Sequence, residues 1–251
     1  MNDLALLIDL HRDGPRQGPG DDDATRLAIT LAGLREKRGL RIADIGCGTG
    51  AATLVLAREL DAVVTAVDCL ADFVSDLADV VQRQQLGERI EPLVATMEAL
   101  PFAEQSLDAV WSEGAVYNMG FARGIRAWRR CLKPAGILAV SELTWLTRER
   151  PAELARHWAL EYPEVATAST KMALLEDNGY APVGYFALPR RCWLDNYYRP
   201  LQARFAAFLA RHGNATAART IVAAEQKEIA LYERFADYVG YGFYIAQRTT
   251  A

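Results

Sequence analysis

Four polar side chains follow the apolar run at residues 107–111, where a buried strand is expected to end: Ser112, Glu113, Tyr117 and Asn118. A carboxylate at such a place can deprotonate a bound nucleophile, orient it or balance a positive charge. A phenol and an amide can fix a bound molecule through hydrogen bonds. We therefore take Glu113, Tyr117 and Asn118 as candidate catalytic residues. The alternative for Glu113 is a structural role, in which backbone amides or an arginine of the N-terminal segment satisfy the carboxylate. For Tyr117 and Asn118 it is ordinary loop packing.

A glycine-rich turn supplies the second group of candidates. The segment ADIGCGTGAATLVLA, residues 43–57, has the pattern of a strand, a turn and a helix. Its glycines are Gly46, Gly48 and Gly50. Glycines permit a tight turn and let a ligand approach the backbone closely. Because Gly46, Gly48 and Ala51 also satisfy the dinucleotide pattern G-x-G-x-x-G/A, the turn alone is compatible with NAD or FAD.

Two acids narrow the choice of cofactor. Asp68 ends the next apolar run, VVTAVD, where a carboxylate can accept hydrogen bonds from two ribose hydroxyls. That contact suits any cofactor that contains adenosine. Asp44 lies two residues before Gly46 and is the feature that discriminates between such cofactors.

The order of an acid, an apolar residue and G-x-G-x-G in residues 44–50 resembles the first motif of class I S-adenosylmethionine-dependent methyltransferases. Residues 94–110 are similar to that family's third-strand loop and fourth strand, and residues 131–142 to its approach to strand five. The resemblance covers about residues 40–145. It implies S-adenosylmethionine as cofactor, S-adenosylhomocysteine as product, and a glycine turn near the amino-acid end of the cofactor.

The resemblance also implies a set of cofactor-binding residues. Many relatives place an acid before an apolar residue to contact the adenine amino group, whereas this chain has Thr96 and Met97. A threonine hydroxyl can still accept a hydrogen bond, and a methionine can pack on a purine. The implied residues are Gln17, Gly18, Asp44, Gly46, Gly48, Gly50, Asp68, Cys69, Thr96, Met97 and Ser112.

Gln17 and Gly18 belong to the segment RQGPG, residues 16–20. Together with SEGAVYNMGF and TRERPAE, this segment looks like a smaller bacterial subgroup of methyltransferases without an assigned acceptor. In that subgroup the N-terminal arm folds across the cofactor. The alternative is a flexible leader, because segments rich in Gly and Pro need packing or a ligand to become ordered.

The composition and the missing motifs narrow the methyl acceptor. Residues 112–118 contain neither N-P-P-Y nor D-P-P-Y, with which similar DNA and protein amide methyltransferases hold a planar nitrogen. Lys+Arg 28 and Asp+Glu 32 give a formal net charge of -4, which favours neither nucleic acid nor a membrane surface as partner. We expect a small-molecule acceptor. An NAD-dependent oxidoreductase and a non-catalytic S-adenosylmethionine-binding regulator are the alternatives.

The elements that must position these residues alternate between strand and helix patterns, which predicts an α/β fold. We expect a Rossmann-like, seven-stranded, mainly parallel sheet with helices on both faces. Two long helical patterns, at 193–212 and 215–238, predict a helical cap inserted around the sixth and seventh strands. Asp23 is expected to cap a helix over residues 24–38. The strands are predicted at 41–45, 62–67, 90–94, 107–112, 136–142, 181–188 and 241–248.

The chain is accordingly divided into three parts. Residues 1–39 form an N-terminal arm and helix over the cofactor site. Residues 40–145 form the Rossmann-like cofactor-binding core, and residues 146–251 hold the remaining core strands with a helical cap and substrate region.

Weaker candidates lie in the second half of the chain. Glu142 follows the fifth strand, and His157 lies near two aromatic residues of the cap. Trp193, Tyr197 and Tyr198 are expected to be core residues; if they line a pocket instead, the acceptor is apolar or aromatic.

The four cysteines are far apart, without a C-x-x-C pair or a histidine at zinc spacing. We therefore expect a reduced, cytoplasmic protein without a metal site. The N-terminal residues lack the features of a signal peptide, and no run approaches the roughly 20 apolar residues of a spanning helix. The apolar stripe of the last long helix suits either core packing or a homodimer.

Overall fold

Eight strands form one sheet in residues 3–250, the part of the chain that the computed structural model describes. Their spatial order is β3, β2, β1, β4, β5, β8, β7, and the short β6 pairs with the end of β5. In chain order they are β1 (Leu40–Ile45), β2 (Ala62–Asp68), β3 (Ile90–Val94), β4 (Leu107–Glu113), β5 (Leu132–Trp145), β6 (Ala166–Thr167), β7 (Tyr180–Ala187) and β8 (Val239–Arg248). β8 runs antiparallel to both of its neighbours, β5 and β7, and the other strands of the sheet all run in the opposite direction to β8. The predicted mainly parallel sheet is confirmed, with β6 as an addition.

Helices cover both faces of the sheet, as predicted. In chain order they are α1 (Asp3–Arg12), α2 (Asp22–Leu31), α3 (Ala51–Glu59), α4 (Ala71–Arg83), α5 (Phe121–Trp128), α6 (Ala152–Glu161), α7 (Ala168–Asp177), α8 (Arg190–Trp193), α9 (Arg199–Arg211) and α10 (Thr216–Phe235). A π-helical turn, Leu194–Tyr198, joins α8 to α9, and α1 packs against α9 and α10. None of the helices within residues 3–250 has the length and apolar character needed to cross a membrane.

The predicted helix over residues 24–38 is wrong in its cap and in its end. Asp21, not Asp23, precedes the first turn of α2: its backbone is extended, and its carboxylate accepts a hydrogen bond from the Ala24 amide at 2.6 Å. This is the geometry of an N-cap, and it satisfies an amide that has no partner within the helix. Gly33 follows the helix with φ +63, a left-handed conformation that ends it.

The central strands are buried on both faces. In β4, Ala109 and Trp111 join the core layer that contains α1, α2, α3 and the cap, whereas Val110 joins the layer that contains α5. Successive side chains of a strand point to opposite faces, so a strand covered on both sides is a continuous apolar run.

The position of the site follows from the strand order. β1 and β4 are adjacent, but the helices that follow them, α3 and α5, lie on opposite faces of the sheet. The loops after these two strands therefore diverge and leave a crevice at their carboxyl ends, where open α/β sheets bind ligands.

Candidate active site

A cavity of about 720 Å³ lies at the carboxyl ends of β1, β2 and β4, and its volume is usual for a small-molecule site. The loops after β1 to β4 and the N-terminal arm form one end, which we call the loop end. Side chains from α1, α6, α8, α10 and β8 form the other, the cap end. The predicted residues on the wall are Gln17, Gly18, Asp44, Gly46, Gly48, Asp68, Cys69, Thr96, Met97, Glu113, Tyr117 and Asn118.

Gly46 and Gly48 bring the loop after β1 close to two other segments. Both have positive φ, +71 and +55. A Cβ atom on Gly46 would lie 2.3 Å from Cβ of Ala115, and one on Gly48 would lie 2.6 Å from Oε1 of Gln17. These approaches require glycine, as expected for a turn whose backbone faces a ligand.

Gly50 and Ser112 do not line the cavity. Gly50 precedes α3 and has the side chain of Leu77 packed over it. Ser112 is fully buried, and its hydroxyl donates to the carbonyl of Ile45 at 2.8 Å. The expectation that these two residues contact the cofactor is corrected. Gly50 supports the turn before α3, and the Ser112 hydroxyl, bonded to the Ile45 carbonyl, supports the pairing of β4 with β1.

Asp68 holds the loops after β1 and β2 in place. The amide of Gly48 donates to Oδ2 and the amide of Leu70 to Oδ1, both at 2.9 Å. Each carboxylate oxygen can accept more than one hydrogen bond, so both can still accept from a diol. Cys69 also lines the cavity, and burial raises the pKa of its thiol.

Asp44 is a buried carboxyl group, 1% exposed, in the cavity wall. Its Oδ2 accepts a hydrogen bond from the Thr53 hydroxyl at 2.6 Å. Burial raises its pKa to about 7, against the opposing effect of that hydrogen bond. A cationic ligand beside Asp44 would favour the ionised form.

Asp44 gives a testable pH dependence of stability. Its pKa is higher in the folded than in the unfolded chain, so its contribution is complete below about pH 4 and is lost as the pH rises through about 7. Between pH 5 and 7 the ligand-free protein should lose up to about 1.4 kcal/mol of unfolding free energy per pH unit relative to Asp44→Asn. Urea denaturation at pH 5, 6 and 7 measures the difference. Parallel pH profiles for the two proteins would contradict it.

The loop after β3 forms another part of the wall at the loop end. Thr96 and Met97 both line the cavity, and the Met97 carbonyl accepts a hydrogen bond from Nε1 of Trp128 at 3.0 Å. Two residues that the sequence analysis missed lie here as well, Glu98 and Phe73. Glu98 supplies the carboxylate that the Thr96–Met97 pair lacks.

The N-terminal arm lies over the glycine turn. Oε1 of Gln17 accepts hydrogen bonds from the amide and the hydroxyl of Thr49, each at 3.0 Å. Nε2 of Gln17 donates to the Gly14 carbonyl at 3.2 Å, and Nδ2 of Asn196 donates to the Gly20 carbonyl at 2.9 Å. These contacts place the arm in the wall rather than leave it as a free leader.

Glu113 has protein partners at both carboxylate oxygens. Oε1 accepts from the Thr25 hydroxyl at 2.7 Å and from Nε1 of Trp111 at 2.9 Å. Oε2 lies 3.3 Å from Nη1 of Arg16, an arginine of the arm. The geometry therefore favours the structural alternative for Glu113, because its acceptor capacity is used to attach the arm to β4. Arg16 is a residue that the sequence analysis left unnamed.

Tyr117 and Asn118 occupy the boundary between the two ends of the cavity. They lie in a 3₁₀ turn after β4, and the Tyr117 side chain, 44% exposed, meets Tyr162 edge to face at 6.1 Å. Nδ2 of Asn118 donates to the Ala115 carbonyl at 3.0 Å, which leaves its amide oxygen available.

Glu142 and His157, the weaker candidates, are not on the wall of the cavity. Glu142 is 1% exposed, and its Oε1 lies 4.0 Å from Nζ of Lys171, which is equally buried. Burial raises the pKa of Glu142 to about 7 and lowers that of Lys171. The pair lies behind the cap end and is a structural feature of the core.

The cap end combines aromatic rings with carboxylates. Trp193 belongs to the core and Tyr197 packs against it, as expected, and both also line the cavity, which was the alternative; Tyr198 is buried outside the wall. Further residues there had no local motif to reveal them: Trp158, Glu161, Tyr162, Glu225, Glu228 and Tyr241.

Comparisons with known proteins agree with this geometry. Residues 43–140 match the methyltransferase domain family. The 27-O-demethylrifamycin SV methyltransferase of Amycolatopsis mediterranei is 28% identical over 190 residues, which cover 70% of each chain. Two further methyltransferases are matched over only 38% and 48% of their own lengths.

Two solved structures share the fold over nearly the whole chain. A methyltransferase from Geobacter sulfurreducens in complex with S-adenosylhomocysteine has a TM-score of 0.79 at 18% identity, covering 98% of this chain and 97% of that one. The [4+2]-cyclase SpnF has a TM-score of 0.76 at 24% identity, covering 99% and 94%.

The residues of the loop end fit S-adenosylmethionine. They provide a carboxylate with free acceptor positions for a diol, a turn whose close approaches exclude a Cβ atom, and a buried acid beside it. Together with the sheet order and the match of residues 43–140 to the methyltransferase domain family, they support a class I S-adenosylmethionine-dependent methyltransferase.

Proposed function

We propose that the chain transfers the methyl group of S-adenosylmethionine to a small molecule bound at the cap end of the cavity. The observation that carries the proposal is that the glycine turn and the cap aromatics line the same cavity. The cofactor supplies a methyl carbon activated by a positively charged sulfur. Holding two partners in one dry cavity supplies much of the rate, roughly 7 to 11 kcal/mol in the best-oriented cases.

In this proposal the residues of the loop end bind the cofactor. Asp68 would accept hydrogen bonds from the ribose hydroxyls, and Thr96, Met97 and Glu98 would contact the adenine. The glycine turn, with Asp44, Gln17 and Gly18, would hold the amino-acid end. Residues 1–39 thus close the site, residues 40–145 hold the cofactor, and residues 146–251 supply the acceptor end.

Tyr117 and Asn118 are the groups we assign to the acceptor. Both lie between the two ends, where the transferred methyl must pass. The phenol hydroxyl can donate a hydrogen bond to the acceptor, and the amide oxygen can accept one. Glu113 holds the arm and does not act as the base.

The test is formation of S-adenosylhomocysteine by the full chain with S-adenosylmethionine and a panel of small alcohols, amines, thiols and carbon acids. With an acceptor that turns over, Tyr117→Phe should lower kcat/KM about tenfold, the effect of one lost hydrogen bond of about 1.4 kcal/mol. Tyr238→Phe, outside the cavity wall, is the matched control. Stabilisation by NAD but not by S-adenosylhomocysteine would favour the oxidoreductase alternative, and cofactor binding without turnover would favour the regulator.

We also infer a cytoplasmic protein, which is supported by its four free cysteines. A homodimer stays a prediction, and sedimentation of the purified chain tests it.

A further inference from the structure

The cap end has an excess of carboxylates over cationic side chains. Glu225 and Glu228 are three residues apart on α10 and therefore share one helix face. Nε2 of His11 lies 3.3 Å from Oε1 of Glu225, whereas Arg16 forms ion pairs with Glu113 and Asp22. Glu228 accepts a hydrogen bond from the Tyr198 hydroxyl at 2.9 Å.

Burial makes the charge of Glu228 costly. It raises the pKa of Glu228, and the nearby Glu225 raises it further. Within residues 3–250, Glu228 forms no ion pair that would offset this cost. A half-buried carboxylate on a cavity wall, such as Glu228, that has no ion-pair partner is stabilised when a cation enters that cavity.

Aromatic rings surround the same space. Tyr117 and Tyr162 meet edge to face, and Tyr241 meets Trp193 edge to face at 4.8 Å. The faces of such rings attract cations. Carboxylates and ring faces in one cavity are suited to an alkylammonium group. The rings on the wall are those of Tyr117, Trp158, Tyr162, Trp193, Tyr197 and Tyr241.

Unpartnered donors in the wall point independently to a bound molecule. Trp193 is only 3% exposed, yet its indole Nε1 has no hydrogen-bond partner within residues 3–250. The same holds there for Nε1 of Trp158. A buried donor without a partner is unfavourable, so these two indoles favour a ligand that carries oxygen acceptors.

We propose that the acceptor is a cationic amine that also bears oxygen, with its ammonium group bound between Glu228, Glu225 and the surrounding aromatic rings. This inference rests on the proposed function, because it names the substrate class of the same cavity. An anionic acceptor would face two like charges, and an apolar one would leave Glu228 and the Trp193 indole unsatisfied.

The experiment compares three probes of one shape by isothermal titration with S-adenosylhomocysteine present. They are tyramine, its neutral analogue tyrosol, and the anion 4-hydroxyphenylacetate. Tyramine should bind at least about tenfold more tightly than tyrosol, and the anion should bind most weakly, as expected for a carboxylate-lined aromatic site. Equal affinity for tyramine and tyrosol, or no binding of tyramine, overturns the inference.

Two variants on α10 assign the effect to a residue. Glu228→Gln should weaken tyramine about tenfold or more and leave tyrosol and S-adenosylhomocysteine unchanged. Glu233→Gln, an exposed position outside the cavity wall, should change none of the three. Unchanged tyramine affinity in Glu228→Gln overturns the inference. Failure of the wild-type chain to bind S-adenosylhomocysteine contradicts the proposed function instead. The affinities for tyramine and tyrosol are then compared in the absence of S-adenosylhomocysteine.

Discussion

Replacement of Gly46 by alanine is expected to weaken S-adenosylhomocysteine binding by about 100-fold or more. The new Cβ atom would lie 2.3 Å from Cβ of Ala115. Both atoms are bonded directly to the backbone, so no side-chain rotation relieves the contact, and the loops after β1 and β4 must move apart. A displacement of about 1 Å in a site that works by positioning can cost about 100-fold. Isothermal titration of Gly46→Ala with S-adenosylhomocysteine measures the loss.

Two further variants distinguish the effect of this clash from that of general backbone strain. Gly33 also has positive φ, +63, but nothing lies within 4 Å of its Cβ position. Gly33→Ala should therefore cost only about 1 to 2 kcal/mol of stability and keep its affinity. Ala115→Gly in the Gly46→Ala background removes the clashing partner and should recover part of the binding. Wild-type affinity in Gly46→Ala, or no recovery in a folded double variant, would show that the contact is not what matters.

Replacement of Lys171 by methionine is expected to lower the free energy of unfolding by about 3 kcal/mol or more. Lys171 and Glu142 are each 1% exposed, and Nζ of Lys171 also lies 4.4 Å from the centroid of the Phe121 ring. The substitution leaves Glu142 buried without its cation, and breaking one side of a buried pair costs much more than the pair contributes. Urea denaturation of both proteins at the same pH measures the loss.

Two controls accompany this substitution. Lys171→Met combined with Glu142→Gln removes the unpaired charge and should recover a large part of the loss. Lys133→Met breaks a pair with Asp108 whose lysine side chain is 41% exposed, and it should cost less than about 1 kcal/mol because solvent screens such pairs. Losses of equal size in Lys171→Met and Lys133→Met would contradict the buried-pair explanation.

The parts of the fold that could be predicted from the sequence are those with a local signal. Apolar runs and helical spacing located the strands and the two long helical segments to within a few residues, although α2 ends seven residues earlier than predicted, and Asp44 with the glycines located the loop end. Asp68 could be assigned because it ends an apolar run, and β2 does end at that residue. Such signals lie within a few residues of one another along the chain, where periodicity and turn chemistry act.

The errors arise where the deciding partner is remote or where neighbours are chemically alike. Three consecutive aspartates, residues 21–23, lie at the start of α2, and only the backbone conformation selects Asp21 as the cap. The role of Glu113 depends on Arg16 and Thr25, which are 97 and 88 residues away in the chain. No spacing rule could have joined them.

The sequence by itself determined the α/β class, the glycine turn and the class of cofactor, because each depends on residues close together in the chain. Only the tertiary structure decided which side chains line the cap end of the cavity. Folding brings α10 and β8 to the same cavity as the turn after β4, and so places Glu228 and Tyr241 near Tyr117. Glu228 and Tyr241 are each more than a hundred residues from Tyr117 in sequence, so their place on one cavity wall follows from packing across the sheet and not from any local pattern.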